Sequence, residues 1–557
     1  MRPLLRVRPG LALPFGEAEF GYRDDRFQLF TLLGTFAMLR TVALRLFSVI
    51  LATGAIVADL DTLSVMAQQP ITPGEKTTVW SQPRLPDGGL DFAGALNQFG
   101  MRRTPPERNG LVPMLDILIA EDFYGPGSYA ALRGELGLTD PPKTSAQFYR
   151  PDDEMRSMLR QAATATWTRQ ENREVSDWLA SNERALGKVD DVIARGGWFY
   201  PVIDTQMTLA SGEQIAGIYC ASLDVLDVLR DMATALAARS LMRYGEGRPD
   251  EGLRDLLRLH GIAEMLATSE FSLAALLMAV IDDHAREVVQ ALLQSNALRP
   301  ADYSALYQAL QGRPPINPDL VVLTTRDIIV SLEALDGLAR GRFRETGVYL
   351  HHTSGLSGSP DRQDEAFDSA KHLGIRNWDQ VALDLRQTLT EIHQALREKT
   401  NLERNRRLLQ IQDRGLKQTK SKTGSELGQR IRSGEATDSE RSQPIRLALT
   451  SYLFLSLYES VNGVAKIQMS RQIALTALLI EAFRQRSGRL PESLDELTPK
   501  LLRAVPKDLF DSQPLRYQKQ GGGYKLYSVG AIAKDLGGPD PENPRQGNFG
   551  IVVAGRP

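Results

Sequence analysis

Leu226–Pro249 reads LDVLRDMATALAARSLMRYGEGRP. Leu226, Leu229, Ala233 and Leu236 recur at three- and four-residue intervals, which places them on one side of a helix and not on alternate sides of a strand. Gly245-Glu246-Gly247-Arg248-Pro249 then ends that helix: glycine relaxes the backbone, and proline fits the first turn of the next helix but not the interior of this one.

The same grammar continues on both sides. Leu253, Leu256 and Leu257 form a second apolar face, and Leu277, Val280, Ile281 and Val288 a third. Arg299-Pro300 and the stretch from Gly312 to Pro318 supply further breaks. Short breaks between long helices predict neighbours packed antiparallel, so the expected fold is mainly α: an antiparallel helical array. No fixed repeat identifies a named solenoid.

Composition agrees with a globular chain. The 557 residues exceed one ordinary core and suggest two to four domains. A net charge of −2, from 66 basic and 68 acidic residues, gives no overall attraction to nucleic acid or anionic lipid. The single cysteine, Cys220, excludes intrachain disulfides and multi-cysteine zinc sites. Beside Tyr219 it is expected to be a small buried apolar residue.

The N-terminal region carries a different signal. Leu46–Ala58, LFSVILATGAIVA, is an uncharged apolar run preceded by Arg40 and Arg45. A positive flank, a short apolar segment and small residues at a cleavage point are what secretion machinery reads; Val65-x-Ala67 is one such point, with Ala55 and Ala58 as alternatives. The run is shorter than the ~20 residues that span a bilayer. A cleaved signal is therefore the expectation, and an uncleaved anchor reaching back to Val42 the alternative. Met38 stands where a conventional signal would begin and is the expected start; residues 1–37 are charged and aperiodic.

The expected divisions are 1–69 (extension and signal or anchor), 70–104 (linker), 105–396 (helical domain), 397–445 (basic linker or helix) and 446–557 (helix plus a small α+β module). Residues 397–432 hold eleven Lys/Arg against four Asp/Glu, with Gly415, Gly424 and Gly428 expected to interrupt a helix. No aromatic residues are interleaved there to stack on bases, so a solvated linker or fraying helix is expected and no nucleic-acid partner, with contact to a phosphate-rich polymer or a membrane surface the alternative.

After a helix around Ser470–Arg486 come Gly488, Leu490–Leu497 and Val505–Asp511. Two short strands follow, Leu515–Gln518 and Tyr524–Val529, joined by Gly521-Gly522-Gly523, whose glycines suit the positive φ of a tight hairpin. This order resembles the C-terminal half of the major, G-type pseudopilins of type II secretion, over roughly 470–553. The resemblance implies a small antiparallel sheet beside a helix and a Gly/Asp-rich loop that often binds calcium. Here the apolar segment lies far upstream of that helix, so pilus assembly is not implied. Ile532 and Leu536 occupy places where acidic residues would be expected, and Asp535 and Asp540 remain. Calcium wants six to eight oxygens including several carboxylates, so a structural turn is expected, with calcium at Asp535 and Asp540 the alternative and otherwise no cofactor.

Asp177-Trp178-Leu179 with Asn182-Glu183, Trp198-Phe199-Tyr200-Pro201, and Leu253–Leu266 followed by Leu273–Ile281 also resemble exported envelope proteins of planctomycete bacteria that join a helical region to such an end. That resemblance implies architecture and an extracytoplasmic location, held in the membrane only by the N-terminal segment if it is uncleaved, and brings no site residues.

Six histidines are present: His260, His284, His351, His352, His372 and His393. None lies in HExxH, and no phosphate-binding loop, nucleophile elbow or dinucleotide fingerprint occurs. The best constellation is His260 with Glu264 one turn on, facing Asp283-His284 on the next helix, a candidate transition-metal set; core histidines explain the same pattern. His351-His352 sits in a loop by composition. The aromatic cluster Trp198–Tyr200 is a candidate ligand surface, with helix packing as its more frequent fate. The expected function is a non-enzymatic envelope scaffold with a protein partner; the rival is an extracytoplasmic hydrolase with a dispersed His/Asp/Glu site.

Overall fold

The structure, a computed structural model, describes residues 70–118, 128–139, 146–203, 206–208, 214–218, 224–295, 297–342, 374–421, 429–430, 433–539 and 548–555. The apolar segment Leu46–Ala58 and its arginine flank lie outside the described residues, as do Cys220, His351, His352, His372 and Asp540.

The chain is mainly helical, with a small three-stranded antiparallel sheet at its C-terminal end. α1 (Phe92–Arg103), α2 (Leu111–Met114), α3 (Ser128–Glu135), α4 (Asp153–Ala162), α5 (Arg173–Ser181), α6 (Glu183–Gly187) and α7 (Val189–Ile193) form an opening set of short helices. A two-stranded ribbon follows, β1 (Gln206–Thr208) with β2 (Gln214–Ala216).

The quoted stretch then forms α8 (Asp224–Gly245), and α9 (Pro249–Leu266) begins at the proline where the break was expected. Proline suits that first position because its missing N–H would be unbonded there in any case. α10 (Ser272–Gln294) completes a three-helix set in which α8, α9 and α10 each touch the other two. The links of three and five residues force consecutive helices to run antiparallel. α8 differs from its sequence pattern in one respect. It is buried around nearly its whole circumference, from Val225 through Tyr244, and not along one stripe. Each fully buried aliphatic such as Leu229 or Leu236 contributes roughly 1.5–3 kcal/mol.

α11 (Pro300–Gln311), α12 (Leu320–Leu323), α13 (Thr325–Ala339), α14 (Trp378–Leu396) and α15 (Asn401–Ser421) lead to α16, Asp438–Ser487. At 50 residues and 1.5 Å per residue α16 is about 75 Å long. Thr437 and Glu440 make a reciprocal capping box at its start, and Gly488 ends it at φ +72°. α16 packs in turn against α14 and α15, α13, α10 and α11, and the C-terminal sheet. No helix among the described residues is long and apolar enough to cross a membrane.

Two expectations change here. The division at 445/446 falls inside α16, and the Ser470–Arg486 helix is only its last third. Gly415 does not interrupt a helix either; it lies within α15, where a Cβ would stand 3.2 Å from Leu447 of α16. Glycine there permits a close approach of the two helices.

The sheet runs β3 (Arg516–Gln520), β4 (Gly523–Ser528), β5 (Phe549–Val553), with β4 in the centre. β3 and β4 match the expected strands, and β5 is an addition. Tyr524 and Leu526 face α16, where the Tyr524 hydroxyl reaches the Ala477 carbonyl at 3.4 Å. Tyr527 points to the opposite side, as the two-residue period requires, and its hydroxyl donates to Asp535.

Gln520 pairs with Gly523 across Gly521 (φ +53°) and Gly522 (φ +82°). Two successive positive φ values make this the turn whose twist matches the strands. Gly522→Val should therefore lower the stability of the full chain by about 1–2 kcal/mol in chemical denaturation. An unchanged midpoint would show that the turn relaxes without strain.

Candidate functional site

The four candidate metal ligands, His260, Glu264, Asp283 and His284, point to different partners. His260, buried on α9, faces Asp282 of α10, with Nδ1 3.7 Å from Oδ1. Burial holds the imidazole down at about 3, helped by Arg471 and Arg313, and pushes Asp282 up to about 8, helped by Asp283. The pair is thus neutral over the physiological range. Glu264 turns away to a two-pronged bond with Arg313. Asp283 bonds Lys466 of α16 and lies 3.5 Å from Arg286; with burial opposing, these cations hold it below its ordinary value. His284 meets Thr234 of α8 at 3.3 Å and Glu287 at 3.6 Å. Four candidate ligands thus have four different sets of partners, and among the described residues no group of three His, Cys, Asp or Glu is placed to hold a metal.

The C-terminal loop is organised by hydrogen bonds. Asp535 accepts from the Tyr527 hydroxyl at 3.0 Å and from Gly537 N–H at 2.9 Å. Asn548 closes the loop: its carbonyl accepts from Leu536 and Gly538 N–H, and its amide donates to the Val529 and Lys534 carbonyls. Asp508, wholly buried, accepts from Ser528 Oγ, Val529 N–H, Phe510 N–H and Arg516. Ile532 and Leu536 stand out from this loop, 44% and 53% exposed.

Trp198, Phe199 and Tyr200 are buried, so the aromatic cluster is core and not a surface. Asn109 fixes it by bonding both the N–H and the carbonyl of Phe199. Asn182 likewise bonds the N–H and carbonyl of Tyr149.

The largest charged cluster was not anticipated from sequence. Asp255 of α9, fully buried, accepts two bonds from Arg239 at 2.9 and 2.7 Å, one from Arg243 at 2.7 Å and one from Arg258 at 2.8 Å. Glu183 takes further bonds from Arg239 and Arg243, and Asp190 from Arg258. Asp231 of α8 similarly gathers Arg150 and Arg156. On α13, buried Asp327 accepts from Ser272 at the start of α10 and from Ser456 of α16. Each cluster ties elements distant in sequence.

A cleft of about 350 Å³ opens where α14, α15 and α16 meet. Asp384 and Glu391 of α14, Arg414 of α15 and Arg446 of α16 give it four charges that cancel. Ile411, Leu447 and Phe454 add apolar surface, and Gln387, Gln412 and Gln443 add amides. Its residues come from three helices, so no local motif announces it. The basic stretch of the sequence supplied one wall.

Compared with protein-family models, curated proteins and solved structures, the chain matches none.

Proposed function

We propose that this chain is an exported cell-envelope scaffold, whose helical body holds a C-terminal, pseudopilin-like docking unit for a protein partner. The observation that carries it is α16: one continuous helix packs against the helical body along its length and against the sheet at its end. A load or displacement at the sheet is thereby passed to the body without an intervening linker. A long helix followed by an antiparallel sheet laid on it supports the pseudopilin likeness.

The docking surface in this reading is the loop that presents Ile532 and Leu536, the two large hydrophobics exposed among the described residues of that unit. The charged groups of the body support the same reading, because Asp255, Asp231 and Asp327 bind helices together.

Export rests on the Arg40/Arg45 flank and the Leu46–Ala58 run. Replacing Leu51 and Ile56 with aspartate inserts charge into a short apolar segment at a cost of a few kcal/mol per residue. The doubly substituted chain should stay in the cytoplasm on cell fractionation. If it reaches the envelope as the natural chain does, the export reading fails. A photo-crosslinker at position 532 should then capture a defined envelope protein from the natural chain, and Leu536→Asp should abolish that product; capture insensitive to the substitution would reject the docking loop.

A further inference from the structure

We propose that the cleft between α14, α15 and α16 binds a small zwitterion with an apolar side chain, an aliphatic or aromatic amino acid. This goes beyond the scaffold reading and does not depend on it.

Arg446 of α16 lines the cleft. Its Nη2 donates to the Ser439 carbonyl at 3.0 Å, and its Nε lies 3.4 Å from Ser442 Oγ. The carboxylate beside it, Asp384, stands 3.7 Å away, too far for a hydrogen bond. Asp384 is already engaged by the Ser439 hydroxyl at 2.7 Å and the Gln380 amide at 2.8 Å. Arg446 Nη1 has no bond among the described residues, although the side chain is 22% exposed and faces the cleft. Nη1 of this guanidinium is thus left with no anionic oxygen at hydrogen-bonding distance among the described residues. Burial accordingly lowers its proton affinity, and Asp384 only partly restores it.

A simple anion would nevertheless be opposed by Asp384 and Glu391 on the same cleft. A carboxylate with an ammonium on the adjacent carbon resolves the conflict. The carboxylate meets Arg446 Nη1, and the ammonium meets the unused lone pairs of Asp384, since each carboxylate oxygen accepts more than the one bond it has here. Arg446 Nη2 and Asp384 Oδ2 approach to 3.7 Å, so the two side chains lie close enough for one head group, its two charges one carbon apart, to reach both. Glu391 is occupied by Arg414 and is not asked to take part.

The remaining lining fits the remaining atoms. Ile411 and Leu447 offer apolar contact, with Phe454 behind them. A volume of about 350 Å³ corresponds to roughly a dozen waters, enough for one amino acid.

The test is calorimetric titration of the full chain with leucine and with phenylalanine, alongside leucinamide, N-acetyl-leucine and glucose. Leucine or phenylalanine should bind at millimolar concentration or below. Leucinamide, which lacks the carboxylate, and N-acetyl-leucine, which lacks the ammonium, should each bind at least about tenfold more weakly. Arg446→Gln should weaken leucine by a similar factor. Because Arg446 also holds the start of α16, Thr388→Trp provides a second variant that fills the cleft from α14 and leaves the ion pairs intact. It should abolish binding with an unchanged melting temperature. Absence of leucine and phenylalanine binding overturns the proposal, as does equal affinity for leucinamide, a preference for glucose, or binding that survives Thr388→Trp.

Discussion

Asp255→Ala should be the most damaging single substitution among the charged residues of the helical body. The carboxylate is fully buried and accepts four hydrogen bonds from Arg239, Arg243 and Arg258. Arg239 is itself completely buried, so water cannot replace the lost acceptor. Glu183 retains one bond to Arg239 and one to Arg243, but it is 55% exposed and serves both from the rim. Removing one partner of a buried ion pair typically costs 3–5 kcal/mol, because the other charge is left uncompensated. We expect a loss of about that size in the first unfolding transition under urea. Arg254→Ala, on the exposed side of the same helix, should change stability by less than about 0.5 kcal/mol. If the two variants unfold alike, the network does not hold α8, α9 and the short helices together.

This cluster also marks where sequence reading stops. The helical breaks were visible because glycine and proline act locally: Gly245–Pro249, Arg299-Pro300 and Gly312–Pro318 all mark helix boundaries. The glycine hairpin was visible for the same reason. Asp255, by contrast, sits between Arg254 and Leu256 and resembles any helix-surface acid until α8 is laid beside it. Arg258 lies 3 residues on in the same helix, but Arg243 and Arg239 lie 12 and 16 residues back on α8.

α16 was misjudged for a related reason. Different partners cover different sides of it along its length, so no single apolar stripe runs through it, and stripes are the signal that sequence periodicity reads. Its start was nevertheless written in the sequence as Thr437-x-x-Glu440. The candidate metal ligands show a different limit of spacing. Spacing placed His260 and Glu264 one turn apart, but Arg313 claims Glu264, and the residue of the next helix that faces His260 is Asp282, one position from the expected Asp283. One residue of rotation on a helix is about 100°, which spacing alone does not resolve.

Stability should fall as pH rises from about 6.5 to 8. Burial pushes Asp282 up to about 8, and Asp283 raises it further against Arg286, Lys466 and Arg471. Glu270 and Glu333, also buried, are pushed up to about 7; Arg326 and Arg103 oppose the first, and the Ile218 N–H and Arg342 oppose the second. In the unfolded chain all three titrate near their ordinary values of 3.8 and 4.5. Between those values and 7–8 the native state therefore holds protons that the unfolded chain has released. Stability then declines with pH, and the contribution is complete below about 4 and lost above about 8. His260 has the opposite sense: held at about 3 against 6.5, it makes stability rise with pH, but only up to 6.5. Above that point nothing in the His260–Asp282 pair offsets the carboxylates. One proton retained by Asp282 across 1.5 pH units amounts to ~2 kcal/mol. Asp282→Asn mimics the neutral acid, so it should flatten much of the decline and raise the urea midpoint at pH 8 relative to the natural chain. At pH 6 the two should differ far less, since Asp282 is already protonated there. A natural-chain midpoint that is level or rising from pH 6.5 to 8 would mean that these carboxylates ionise with water beside them, and that α9 and α10 part enough at His260 to admit it.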